Sequence, residues 1–144
     1  MTPSLVDVNV LLALAWPNHQ HHQSAHRWFS RLGKQGWATC AITELAFVRL
    51  SSNPAFTAEA VTPNEAAALL VRYKAHPGHA FVEHLPEIAV AGLENVIGHQ
   101  QVNDAYLVRV AERKKMVFVT FDHRARAHAE KAQTVVVIGS DSVP

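Results

Sequence analysis

The chain has 144 residues, 49% of them hydrophobic and 17% charged, with six glycines and seven prolines; this is the profile of one globular domain with a sizeable core, and it excludes a disordered chain. A net charge of +1 supplies no bulk basicity that would point to a nucleic acid, so any such partner must be argued from local pattern. Cys40 is the one cysteine, which excludes an intrachain disulfide and a thiolate metal cage and suits a reducing compartment.

Ser4–Val8 reads as a short buried strand, with a helix starting over Val10–Ala15. The longest apolar stretch here, Val8–Trp16, is interrupted by Asn9, follows Asp7 and is too short to span a bilayer. It lacks a signal-peptide layout, so a cytoplasmic bacterial location with no membrane partner is expected. Ala25, Trp28, Phe29 and Leu32 recur at helical spacing between His21 and Leu32. Gly33 and Gly36 end that helix before a second strand at Trp37–Cys40. Thr43 reads as the N-cap of a helix to about Ser51, stopped by Asn53-Pro54. Thr62-Pro63-Asn64-Glu65 carries a cap, a first-turn proline and a capping-box glutamate. The helix it opens packs Ala66, Leu69, Leu70 and Tyr73. Ala80–Val82 reads as a short strand and Pro86 as the start of a small helix; Asn103 reads as the cap of another helix, packing Ala105, Val108 and Ala111. Val117–Phe121 and Val135–Ile138 are continuous apolar runs, the pattern of parallel strands covered on both faces. The alternation predicts an α/β sandwich, and no repeat or linker divides residues 1–144 into more than one domain.

Four acids stand where surface charge is unexpected. Asp7 is embedded in Leu5-Val6-Asp7-Val8, and Asp122 follows Val117–Phe121. Both lie at the carboxyl ends of predicted strands, the edge at which open α/β sheets bind ligands. Glu44 and Asp104 fall in the first turns of predicted helices, which begin at that same edge. Two carboxylates about 4 Å apart repel by roughly 4 kcal/mol at an effective dielectric near 20. A set of four therefore needs protons or cations, and an all-oxygen set suits Mg²⁺ or Mn²⁺. Such ions activate water for phosphodiester hydrolysis. Taken singly, Glu44 and Asp104 also fit helix-dipole partners, and Asp122 an ordinary turn residue. Asp7 is the one whose burial in an apolar strand demands a reason.

These segments, in this order, resemble a PIN-domain ribonuclease, and more closely a VapC-type toxin of a type II toxin–antitoxin system. The matching pieces are Leu5-Val-Asp-Val-Asn9, Thr43-Glu44 with Arg49-Leu50, Asn103-Asp104-Ala105 and Val119-Thr-Phe-Asp122. Gly98-His99 and Trp28-Phe29 resemble the mycobacterial-type branch. The resemblance covers almost the whole chain. It implies a PIN-like fold, a central parallel β-sheet flanked by α-helices in a three-layer sandwich. It also implies an endoribonuclease dependent on Mg²⁺, with Mn²⁺ as a substitute, that cleaves structured RNA through metal-activated water. A homodimer and a cognate antitoxin protein that blocks the site are implied as partners. On this reading Asp7, Glu44, Asp104 and Asp122 are the catalytic, metal-binding acids, and Asn9 and Thr120 are polar supports that orient them.

Arg49, about 140° around its helix from Glu44, reads either as a phosphate holder or as a surface arginine. Arg113-Lys114-Lys115 and Arg124, Arg126 and Lys131 form basic clusters that can track an RNA backbone or simply be solvated. His22 and His26 have zinc-pair spacing without a third ligand in register. His99 reads as a crevice residue or a buried structural histidine, and Trp28, Phe29 and Trp37 as core or dimer interface. The apolar face of the His21–Leu32 helix is an alternative seat for an antitoxin segment. Two other functions fit less well. A metal-dependent phosphatase wants a second acid where Asn9 stands and a lysine at a later strand end. A catalytically silent metal- and RNA-binding module would reduce the acids to a structural cation site.

Overall fold

The computed structural model describes residues 2–88 and 92–139. Five strands, β1 (Ser4–Val6), β2 (Trp37–Cys40), β3 (His79–Val82), β4 (Val117–Thr120) and β5 (Val135–Val137), form one sheet in the order β3-β2-β1-β4-β5. Every pairing is parallel. The helices are α1 (Val8–Ala15), α2 (His22–Arg31), α3 (Ala41–Ser51), α4 (Pro63–Lys74) and α5 (Val102–Arg113). Among the described residues no helix is long and apolar enough to cross a membrane.

Alternation along the strands divides the core between two faces. Leu5 and Phe118 pack with Tyr106, Leu107, Val110 and Ala111 of α5 on one side. Val6 and Val119 turn to the other, against α1, Ala25 of α2, Phe47 of α3 and Leu70 of α4. The expected three-layer α/β architecture is therefore the one observed, with α5 opposite α1–α4. Because β1 is central and the chain leaves it first toward β2 and later returns at β4, the strand order reverses between β1 and β4. That reversal opens a crevice at the carboxyl ends of these two strands.

Several boundaries differ from the sequence reading. The first strand ends at Val6, because Asp7 caps α1, accepting from the Val8 N–H through Oδ1 at 2.7 Å. Helix α3 starts straight from β2, with Cys40 as its extended N-cap. Thr43 is thus the third helical residue, and its hydroxyl bonds back to Cys40 N at 3.3 Å and O at 3.1 Å. Similarly, Gln101 is the N-cap of α5, since a 3₁₀ turn at His99–Gln101 leads into the helix and leaves Asn103 inside it. The box Thr62–Glu65 on α4 is present in full. Pro86 and Glu87 are irregular, Ile88 is in a 3₁₀ conformation, and the rest of the helix read there falls at residues 89–91, outside the described residues. Gly36, at φ 81° and ψ 161°, occupies backbone space essentially restricted to glycine, which ends the segment before β2.

Candidate active site

Asp7 is 5% exposed and sits at the β1–β4 crevice. Its Oδ2 accepts from the Thr120 hydroxyl at 2.7 Å. Thr120 Oγ1 in turn accepts from Asn9 Nδ2 at 3.1 Å and from the Asp122 N–H at 3.1 Å. Asn9 Oδ1 accepts from the Phe121 N–H at 3.3 Å. One small network therefore ties the end of β1 to the turn after β4 and fixes the orientation of Asp7. The two hydrogen bonds use half of the roughly four acceptor positions of a carboxylate.

Burial, with repulsion from Asp104 next, pushes the Asp7 pKa up to about 7. Burial also raises Asp104, and Asp122 adds to that, against the opposing pull of His128 and Arg124. Asp122 behaves differently. Arg124 grips it in a fork, Nε at 3.0 Å from Oδ1 and Nη2 at 2.9 Å from Oδ2, and this holds its carboxyl below the ordinary carboxylate range.

The structure thus brings Asp7, Asp104 and Asp122 into mutual electrostatic contact, while Glu44 is engaged by Lys74 and Thr39. Lys74 Nζ lies 3.1 Å from Glu44 Oε1 and 2.9 Å from Oε2, and the Thr39 hydroxyl donates to Oε2 at 2.6 Å. Since that hydroxyl proton is already committed, His79 Nε2, 2.8 Å away, is the donor to Thr39 Oγ1. Among the described residues no three His, Cys, Asp or Glu side chains form a preformed metal cage. The donor chemistry nonetheless fits a hard divalent ion, which takes one or two carboxylates and keeps several waters. One buried and one half-buried carboxylate, both reluctant to ionise and both oxygen donors, are what such an ion would relieve.

The family model described as PIN domain matches residues 4–131, a span that holds all four acids. Among curated proteins of Mycobacterium tuberculosis, Ribonuclease VapC39 is 41% identical over 138 residues, covering 94% of this chain and 99% of its own length. Ribonuclease VapC38 is 40% identical over 119 residues, covering 83% and 84%, and Ribonuclease VapC44 is 36% identical over 122 residues, covering 83% and 85%. The chain belongs to the VapC group of PIN-domain proteins. The resemblance read from the ordered acid segments is borne out.

Within this PIN frame the remaining sequence candidates separate. Arg49 is exposed in the last turn of α3, about 7.5 Å along the axis from Glu44; the guanidinium at the acids is that of Arg124. Lys74 and Thr39 are the neighbours of Glu44 that the sequence reading did not single out. His99 is exposed, not buried. His22 Nδ1 lies 2.7 Å from Ala13 O and His26 Nε2 lies 2.8 Å from Leu14 O. Both rings therefore serve the carboxyl end of α1, which explains their spacing without zinc. Trp37 is core, while Trp28 and Phe29 pack on the same cluster. A cavity of about 420 Å³ is lined by Gln101, Ala105, Arg109 and His128 among others.

Proposed function

We propose that this chain is an endoribonuclease toxin of a toxin–antitoxin pair, dependent on Mg²⁺ or Mn²⁺ and directed at structured RNA. The observation that carries the reading is Asp7, a buried carboxylate with its pKa pushed up to about 7 beside Asp104, at the crevice where α/β sheets take ligands. The names of its relatives, all VapC ribonucleases, support the substrate class.

Asp7 and Asp104 would hold the ion, with Asp122 beside them and Glu44 paired to Lys74. When bound, Mg²⁺ or Mn²⁺ supplies Lewis acidity toward water and a phosphodiester. Thr120 and Asn9 keep Asp7 turned into the crevice through the bonds described above. Arg124, 72% exposed on its side chain while Asp122 is 23% exposed, presents a guanidinium at the rim that can meet a phosphate. No protein side chain is needed as general base in this scheme. In the cell the chain would pair with an antitoxin and act as a homodimer in the cytoplasm.

The test is cleavage of structured RNA by the purified, antitoxin-free protein with Mn²⁺. Asp7→Asn and Asp104→Asn should each cut at least about 100-fold more slowly, in the range seen when one transition-state stabilising group is lost, while keeping the parent's circular dichroism. Undiminished cutting by either variant would remove that acid from the mechanism. Metal binding with RNA affinity but no turnover in the parent would instead favour the catalytically silent module.

A further inference from the structure

We propose that Lys74 is a built-in cation for Glu44, so that the acidic site takes one divalent ion per chain, on Asp7 and Asp104, and not two. The inference deepens the metal-dependent reading above and rests on it. Lys74 Nζ reaches both oxygens of Glu44, at 3.1 and 2.9 Å. On its other side the ammonium lies 5.1 Å from the centre of the Phe81 ring, a cation–π contact that fixes its position. Lys74 is also in the last turn of α4, where the carbonyl end of the helix favours a positive charge. Three independent features therefore hold the ammonium in place.

Glu44 has little left to offer a metal. Lys74 and Thr39 occupy two of its roughly four acceptor positions, the ammonium also sits 2.9 Å from Oε2, and an ion arriving there would face it directly. Lys74 is thus a positioning residue, keeping Glu44 neutralised and turned toward Thr39.

Mn²⁺ titration of the full chain, followed by the electron paramagnetic resonance of free Mn²⁺ and by calorimetry, tests this without relying on activity. The parent and Lys74→Arg should bind one Mn²⁺ per chain. Lys74→Met should bind two, and Lys74→Met combined with Glu44→Gln should return to one. Glu44→Gln alone should keep the single ion with affinity within about threefold, a measurement that stands even where Lys74→Met folds poorly. Two ions in the parent, one ion in folded Lys74→Met, or loss of the ion in Glu44→Gln would each overturn the assignment of Lys74. Two ions in the parent would leave the metal-dependent nuclease reading intact, whereas no ion in the parent would sink both.

Discussion

Asp7 keeps a proton in the folded chain over a range where the unfolded chain has released it, because burial raises its pKa from the ordinary carboxylate value to about 7. The sign follows directly: between about pH 4 and pH 7 the native state binds more protons at this position, so its contribution to stability falls as pH rises and is fully lost above pH 7. His19 and His79, lowered chiefly by burial, slope the opposite way near pH 6. The difference between the parent and Asp7→Asn therefore isolates Asp7. In metal-free buffer, thermal melts of Asp7→Asn should gain on the parent from pH 5 to about pH 7 and level off above it. Parallel profiles would show that Asp7 ionises normally. Mg²⁺ should raise the parent's melting temperature more at pH 8 than at pH 5, since a ligand must be deprotonated to bind metal. Asp7 was legible in the sequence for the reason that makes it costly, a charge in an apolar strand. Lys74 was not, because a lysine near a helix end is ordinary, and only the packing of α4 on α3 carries it to Glu44. Arg124 stands two residues from Asp122, close enough for a local pairing to be foreseen, but within a basic run it read as one of several solvated charges.

Among the elements, α5 ends in a way that its sequence does not favour. The Met116 N–H bonds to Ala111 O at 2.8 Å and the Lys115 N–H to Glu112 O at 3.3 Å, the pair of bonds that closes a Schellman motif. Its left-handed position, usually glycine, is Lys115 at φ 58°. A side chain there costs roughly 1–2 kcal/mol, part of which glycine's freedom in the unfolded chain offsets. Lys115→Gly should therefore stabilise the protein by about 1 kcal/mol, read as a higher midpoint in urea with an unchanged slope. A lower midpoint would mean that the lysine makes a contact worth more than the strain. The same element shows why helix starts were harder to read than helix faces. The apolar spacing of Ala105, Val108 and Ala111 marks the buried side of α5 unambiguously, and all three are buried. Its beginning depends on whether the 3₁₀ turn at His99–Gln101 runs on into the helix, a backbone continuity that side-chain preferences do not encode. Thr43 misled in a comparable way, since the hydroxyl that suits an N-cap also serves as the third residue bonding back to Cys40.

Over the whole molecule, the parallel sheet sorts its charges by edge. Arg113 ends α5, and Lys114 and Lys115 lead from it into β4, so they sit at the amino edge of the sheet, away from the acids. Arg124 and Arg126 follow β4 at the carboxyl edge. With a net charge of only +1, the protein has no overall field strong enough to draw RNA to any face, and contacts near the crevice must supply the attraction. The two clusters that looked equivalent along the chain should then behave differently toward RNA. Replacing Arg113, Lys114 and Lys115 with glutamine should leave RNA affinity, measured with the cleavage-deficient Asp104→Asn chain, within about threefold of that chain's own, with the same dependence on salt. Replacing Arg126 with glutamine should weaken binding and lower the slope of log affinity against log salt by about one, the effect of one lost phosphate contact. Equal losses from both edges would mean that RNA wraps the molecule well beyond the crevice. A loss confined to the amino edge would place the RNA path away from the acids and would count against the nuclease reading itself.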